Sequence, residues 1–383
     1  MPRPPQLSPA ATSLKGSVYS SVLHRLAAWG GEVYPLHVGD TWLDPVPGCR
    51  MEDVREEEHP GLHRYAPPQG LPALVDAVVE RLRGRTGVPL ERANVFVSGG
   101  ATSGLACVVG TIVSPGDEVL ILAPYWPLIE GHVRMAGGVP VAVPFFGRAD
   151  SPETAAAAVE EAVTARTVAL YVNTPSNPTG RVVPRAWLEA LVEVARRRDL
   201  WLVFDEVYEE HVYRGGHVPG LSLAPERSFA AHSFSKAYGM AGGRVGYVAG
   251  PAPAVAEALK LSTHTVYAAP TAAQHAALRV LGGAGDAWAA RARETYRGAG
   301  DAAADRLGVA RPEGSTFLFL DVAPSLGARG LTGLLEDAAD RGLLVAPGAS
   351  CGPYPSHVRL CYTSAPPDAV RRGVEVLASL LGR

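Results

Sequence analysis

Leu200-Trp201-Leu202-Val203-Phe204-Asp205-Glu206-Val207-Tyr208 sets five consecutive apolar residues before an acidic pair. A run that is apolar on both faces suits a strand covered on both sides, as in a parallel or mixed sheet. Comparable strand-like runs lie at 93–98, 118–122, 139–144, 167–172 and 246–249, and helix-like segments at 103–113, 127–136 and 187–198 fall between them. That alternation predicts an α/β fold with a mostly parallel central sheet. Ligands of such sheets sit beyond the strand C-termini, so the residues just after each run are where chemistry is expected. From about Arg291 the pattern changes to a helix, a strand-like run at 316–322 and a closing helix from Pro367, which predicts a smaller α+β domain. The division expected is a segment 1–45 joining the small domain, a large domain over 46–285 and a small domain over 286–383.

A chain of 383 residues with 47% apolar content has ample material for one large and one smaller core. Its 35 basic and 38 acidic residues leave a net charge of −3. The basic residues are scattered, not gathered into a stripe that neutralises a phosphate backbone, which argues against nucleic acid as a partner. The start, MPRPPQLSPAATSLKG, has no apolar signal region, and no stretch of about 18 or more apolar residues follows. A cytoplasmic chain with no membrane association is expected. Cys49, Cys107, Cys351 and Cys361 show neither metal spacing nor a disulfide framework, so reduced thiols and no metal site are expected.

The richest stretch runs Ser233-Phe234-Ser235-Lys236-Ala237-Tyr238-Gly239-Met240-Ala241-Gly242-Gly243-Arg244. A lysine amine forms an imine with an aldehyde once burial or nearby positive charge lowers its pKa. Ser233, Ser235 and Arg244 offer hydroxyl and guanidinium donors for a phosphate dianion. Together they point to a phosphorylated aldehyde. A lone lysine beside a glycine turn would more simply be a solvated surface group; the combination reverses that ordering. Asp205 closes a buried run, where its carboxylate suits a protonated ring nitrogen that acts as an electron sink, and Tyr208 can donate to a phenolic oxygen of the same ring. Taken alone, Asp205 would read as a helix N-cap.

Asn177, between two prolines in Asn173-Thr174-Pro175-Ser176-Asn177-Pro178-Thr179-Gly180, presents its amide from a turn at a strand mouth. Gly99-Gly100-Ala101-Thr102 precedes a helix and can cradle phosphate on backbone N–H groups, although glycine-rich loops alone are weak signals. Trp126 follows another run and can stack on a planar ring. Arg359, in strand-like His357-Val358-Arg359-Leu360, suits a substrate carboxylate, with a surface ion pair as the plainer reading.

In their order these motifs resemble the fold-type I aminotransferases dependent on pyridoxal 5'-phosphate, specifically the class I/II group related to aspartate and kynurenine aminotransferases. The resemblance covers nearly the whole chain and also includes Pro115-Gly116-Asp117-Glu118-Val119. It implies Lys236 as the Schiff-base lysine and general base, Asp205 as the pyridine partner, Asn177 and Tyr208 as ring-oxygen donors and Trp126 as the stacking residue. It further implies a phosphate site of Gly100, Ala101, Thr102, Ser233, Ser235 and Arg244, with Tyr65 reaching the phosphate of a neighbouring subunit in a homodimer. Arg359, Gly39, Asn177 and Trp126 would meet the amino acid, and a 2-oxo acid such as 2-oxoglutarate would accept the amino group in a ping-pong cycle.

Departures bear on the donor. Gly39-Asp40-Thr41-Trp42 stands where the family commonly reads Gly-Glu-Pro-Asp, Ala268 replaces a common serine, and Cys351 sits in a loop that often carries a bulky residue. No second arginine is evident for a distal carboxylate, whereas His264, Tyr267 and Trp42 offer a mixed or aromatic wall. A neutral or aromatic donor is therefore expected to outperform aspartate. The closest rival is elimination, replacement or oxidation by the same apparatus in specialised metabolism. A ligand-sensing regulator domain is the rival of another class; it expects an N-terminal helix-turn-helix before the pattern that this chain begins with.

Overall fold

A computed structural model describes residues 4–14, 16 and 22–383. The runs that are apolar on both faces become the central sheet. Its strands are β1 (Val95–Ser98), β2 (Glu118–Ala123), β3 (Val139–Pro144), β4 (Thr167–Asn173), β5 (Trp201–Asp205), β6 (Ser228–Ser233) and β7 (Gly246–Ala249). They lie in the order β1-β7-β6-β5-β4-β2-β3. Every neighbouring pair is parallel except those made by β7, which runs antiparallel to β1 and β6.

Successive side chains of a strand face opposite ways, and the two cores show it. Leu202 and Phe204 of β5 join Leu170, Val172 and Leu120 against the helices Pro72–Thr86 and Arg185–Arg197. Val203, between them, joins Tyr171, Ala169 and Ile121 against the helices Gly100–Ile112 and Ala252–Thr265. A third core forms around β8 (Phe317–Asp321), β9 (Ala346–Pro347) and β10 (His357–Cys361), an antiparallel sheet in the order β9-β10-β8. Leu36 packs into this third core, and the preceding Tyr34–Pro35 pairs in parallel with Leu343–Leu344. The helix Gly285–Leu307 serves two cores: Trp288, Ala292 and Tyr296 pack on the large one, Ala303, Ala304 and Leu307 on the small one.

Three strands differ from the sequence reading in an instructive way. β4 and β5 each run one residue further than their apolar runs, because Asn173 and Asp205 pair in register and stay in the ladder. β6 was not anticipated at all: Ser-Phe-Ala-Ala-His-Ser has neither strong alternation nor many β-branched residues, and only its place between β5 and β7 makes it a strand.

Gly246 opens β7 where that strand meets the start of the helix Gly100–Ile112. A Cβ there would stand 2.5 Å from the His232 carbonyl oxygen and 2.9 Å from the Ala101 nitrogen, both backbone atoms that cannot rotate away. Gly246→Ala is therefore expected to cost about 1–3 kcal/mol of stability through overpacking. Urea unfolding checks this; an unchanged midpoint would show that strand and helix are not so closely packed.

Candidate active site

β4, β5 and β6 end on one rim of the sheet, and a cavity of 240 Å³ opens there. Asp205 and Tyr208 line it from the end of β5 and the turn beyond, Asn177 from the turn after β4, and Ser233, Ser235, Lys236 and Arg244 from the end of β6 and the segment after it. Ala101 and Thr102 enter from the start of the helix Gly100–Ile112, Trp126 from the loop after β2, Arg359 from β10 and Gly39 from the N-terminal segment.

Asp205 is 3% exposed. Its Oδ2 accepts a hydrogen bond of 2.5 Å from the Tyr171 hydroxyl, and its Oδ1 has only a 3.5 Å contact with the Val207 N–H. Burial pushes its pKa up from 3.8 to about 6, against the pull of Tyr171, Val207 and the nearby His232. No helix begins after Asp205, so the N-cap reading does not apply.

The Lys236 ammonium donates to the Gly39 carbonyl and lies 3.8 Å from Asp40 Oδ1. Burial lowers its pKa below the usual lysine value, the Arg244 and Arg359 charges act in the same direction, and Asp40 and Cys361 oppose them. Arg359, 6% exposed, donates from Nη1 to Asn177 Oδ1 at 2.9 Å and from Nη2 to the His37 carbonyl at 2.8 Å, over the Phe317 ring at 4.5 Å. These contacts aim the guanidinium and leave the Asn177 amide N–H₂ as a donor. Tyr208 is buried beside Asn177, edge-on to Phe317 at 5.9 Å, and burial together with Asp205 raises its pKa so that it keeps its proton.

The helix Gly100–Ile112 starts without a side-chain cap, so its first N–H groups face the cavity unmet by protein side chains. Arg244, in the left-handed backbone region at φ 48°, crosses this helix start: a Cβ on Gly100, itself at φ +80°, would stand 2.5 Å from its Nη2. Gly100 thus shapes the site without lining the cavity. Ser233 Oγ accepts from the Ser235 N–H at 3.0 Å, and Arg244 Nη1 approaches Ser235 Oγ at 3.5 Å. Tyr65 lies elsewhere, 86% exposed, its ring 4.8 Å from that of Tyr267. His264 is exposed, and Cys351 is buried with its carbonyl accepting from the Tyr125 N–H.

Sequence reasoning missed Leu105, Leu128 and Val207, which also line the cavity, and Tyr171. It also missed a second hollow of 490 Å³ that shares Trp126, Leu128 and Arg359 with the first and is walled by Leu14, His132, Met135, Glu130 and Arg134. The sequence made no second arginine for a distal carboxylate evident; Arg134 lines this hollow, brought there by the helix Leu128–Met135, whose facing the sequence alone did not reveal.

Comparison with known proteins decides what this arrangement is. Residues 32–377 match the family described as aminotransferase class I and II. The chain is a class I and II aminotransferase. It is 35% identical to a probable aspartate/prephenate aminotransferase of Thermus aquaticus, over 98% of this chain and 99% of that one. It is 34% identical to the arginine–pyruvate transaminase of Pseudomonas aeruginosa, over 92% of each. Among solved structures, a tetra mutant of Thermus thermophilus aspartate aminotransferase complexed with tryptophan superposes with a TM-score of 0.90 at 32% identity, over 98% of this chain and all of that one. The fold is that of the fold-type I aminotransferases, and the enzyme depends on pyridoxal 5'-phosphate.

The residues present fit that cofactor. A buried carboxylate with a weakly engaged oxygen asks for a cation, an uncapped helix start crossed by Arg244 asks for an anion, and a buried amine shares their cavity. In the cofactor-free protein the ionised carboxylate is a burden. A raised folded-state pKa costs nothing below the unfolded value near 4 and its full penalty above about 6. Asp205→Asn is therefore expected to stabilise the apoprotein by about 2–3 kcal/mol at pH 8 and to leave it nearly unchanged at pH 4. Urea midpoints across this range check it; equal effects at both pH values would contradict a buried carboxylate.

Proposed function

We propose that Lys236, Asp205 and Tyr208 are the catalytic residues of this aminotransferase, and that its donor is a neutral or aromatic L-amino acid. The observation carrying the assignment is the buried Lys236 amine sharing one cavity with Asp205 and Arg359. When bound, the cofactor supplies an aldehyde that condenses with amines and a ring that draws electrons from the adjacent carbon. Asp205 holds negative charge toward the ring nitrogen, while the Asn177 amide and the Tyr208 hydroxyl donate to the ring oxygen. Trp126 covers the ring. The helix start at Gly100, Ala101 and Thr102 binds the phosphate with Ser233, Ser235 and Arg244. Arg359, with Gly39 and Asn177 beside it, grips the substrate α-carboxylate. The neutral Lys236 amine would take the proton from the substrate α-carbon and deliver it to the carbon that carried the cofactor's aldehyde, a role that its burial favours. A 2-oxo acid such as 2-oxoglutarate accepts the amino group.

Exposed Tyr65 and Tyr267, large aromatic side chains in contact, suit cover by a second copy, and the proposed assembly is a homodimer in which Tyr65 reaches the partner's phosphate. The four cysteines are buried and form no disulfide, which suits a reducing cytoplasm. Among the described residues no helix is long and apolar enough to cross a membrane.

Lys236→Ala is expected to lower turnover by roughly a thousandfold or more, since base and covalent partner are lost together. Borohydride should fix the cofactor to the Lys236 peptide of the wild type and leave the variant unlabelled. Labelling of another lysine in the wild type would reject the assignment.

Relatives of nearly equal similarity carry different amino acids in their names, aspartate in one and arginine in the other, so support for the donor comes from the hollow beside the cavity. Leu14, Trp126, Leu128 and Met135 make much of its wall apolar. Arg134 is a cation there, but Glu130 stands four residues earlier on the same helix, so a distal carboxylate would meet both signs. Phenylalanine, tyrosine or methionine should therefore exceed aspartate in kcat/KM for the donor half-reaction. An aspartate preference of about tenfold, near 1.4 kcal/mol, would make Arg134 the distal partner instead.

A further inference from the structure

Tyr171 is a phenol in an aliphatic strand, with Leu170 before it and Val172 after it. Its ring packs in the core with Ala169, Ile121 and Val203, where phenylalanine would fill the same space. It is 1% exposed, and among the described residues its hydroxyl has one hydrogen-bond partner, Asp205 Oδ2 at 2.5 Å. Buried phenols find partners, and this one finds the carboxylate on which the cofactor assignment depends. Burial and the Asp205 charge raise the Tyr171 pKa far above its usual value, so the hydroxyl keeps its proton and acts only as a donor. Other groups facing Asp205 are the Val207 N–H, Glu206 next in the chain, Tyr208, and His232 on the neighbouring strand β6. His232 is itself held by Glu209, 3.1 Å from its Nδ1. None of these is a direct donor to Oδ2.

We propose that Tyr171 is a positioning residue for amino transfer: its hydroxyl keeps Asp205 ionised and fixes the carboxylate so that Oδ1 remains for the ring nitrogen of the cofactor. This rests on the role given to Asp205 above. A hydrogen bond to a charged acceptor favours the charged form, so its loss shifts the shared proton from the ring nitrogen to the carboxylate and weakens the cation–carboxylate pair.

The test uses the full chain as wild type, Tyr171→Phe, Asp205→Asn and the double variant. Tyr171→Phe is expected to weaken pyridoxal phosphate binding to the apoprotein about tenfold by equilibrium dialysis at pH 7.5. It should lower kcat of the donor half-reaction by a similar factor, with KM changed less than twofold. The urea midpoint of its apoprotein should fall more steeply between pH 5 and pH 8 than that of the wild type, because the undonated carboxylate is costlier to ionise. In the Asp205→Asn background, Tyr171→Phe should change cofactor affinity less than twofold, since the charge it serves is gone. Equal losses of affinity in both backgrounds would reduce Tyr171 to a packing role and overturn the proposal, as would unchanged affinity in the single variant. Wild-type affinity and turnover in Asp205→Asn itself would overturn the role of Asp205, and that of Tyr171 with it. This outcome differs from a Tyr171 failure, in which Asp205→Asn alone remains impaired.

Discussion

Asp205 ends a strand covered on both faces, so its charge survives only where hydrogen bonds and positive charge are supplied on the spot. Tyr171 supplies the hydrogen bond from β4, and His232 supplies charge from β6. His232 is buried, which disfavours its charged form, yet Glu209 and Glu206 raise its pKa overall. Glu209 is in turn paired with Arg85 at 2.8 Å. The chain of compensation therefore runs from the Asp205 carboxylate in the cavity through a histidine and a glutamate to an arginine on the helix Pro72–Thr86. Each charged member of this chain has an opposite charge beside it, so the polar groups behind the cavity form a connected set.

The parallel sheet explains how so many functional groups reach one place. Asn173 and Asp205 face each other in register, and Asn173 Nδ2 donates to the Asp205 carbonyl at 2.9 Å while its Oδ1 accepts from the Asn177 N–H at 2.6 Å. One asparagine thus ties the turn after β4 to the end of β5. Asn177 then accepts from Arg359, so a residue of the small sheet is placed by a turn of the large one. The Arg359 guanidinium and the turn after β4 are coupled through that single amide, which makes the relative placement of the two cores a condition of the site.

Much of this was legible before the structure. Asp205 and Asn177 follow apolar runs, Lys236 sits in a stretch rich in hydroxyls and glycine, and Arg359 is a charge inside a strand-like run, while strand ends in α/β sheets converge. β6 was not legible, because Ser-Phe-Ala-Ala-His-Ser owes its strand to its neighbours and not to its own pattern. Tyr171 was hidden by the opposite effect: it sits in so clear a strand that it read as core. The available signal was chemical, since a phenol inside a run buried on both faces must find an acceptor. Arg134 depended on which way a short helix faces the site, and spacing alone does not say what a helix packs against. Tyr65 lies outside the cavity of its own chain, and its assignment belongs to an assembly that one chain does not contain.

The two hollows differ in how tightly their walls are held, and that difference bears on how such enzymes come to use different donors. Around the cofactor cavity, Asp205, Asn177 and Arg359 are buried and joined by hydrogen bonds, so a change at one leaves a polar partner stranded. In the adjoining hollow, Leu128 and Met135 are exposed side chains on a helix surface, and Leu14 comes from the N-terminal segment, near enough that a Cβ on Gly131 would touch it at 3.5 Å. Exchanging such residues alters size and polarity at little cost to stability. On the proposed assignment the reaction is held by costly buried contacts and the donor by inexpensive exposed ones. Relatives that share the cofactor apparatus can therefore diverge in the amino acid they take while their folds remain nearly superposable.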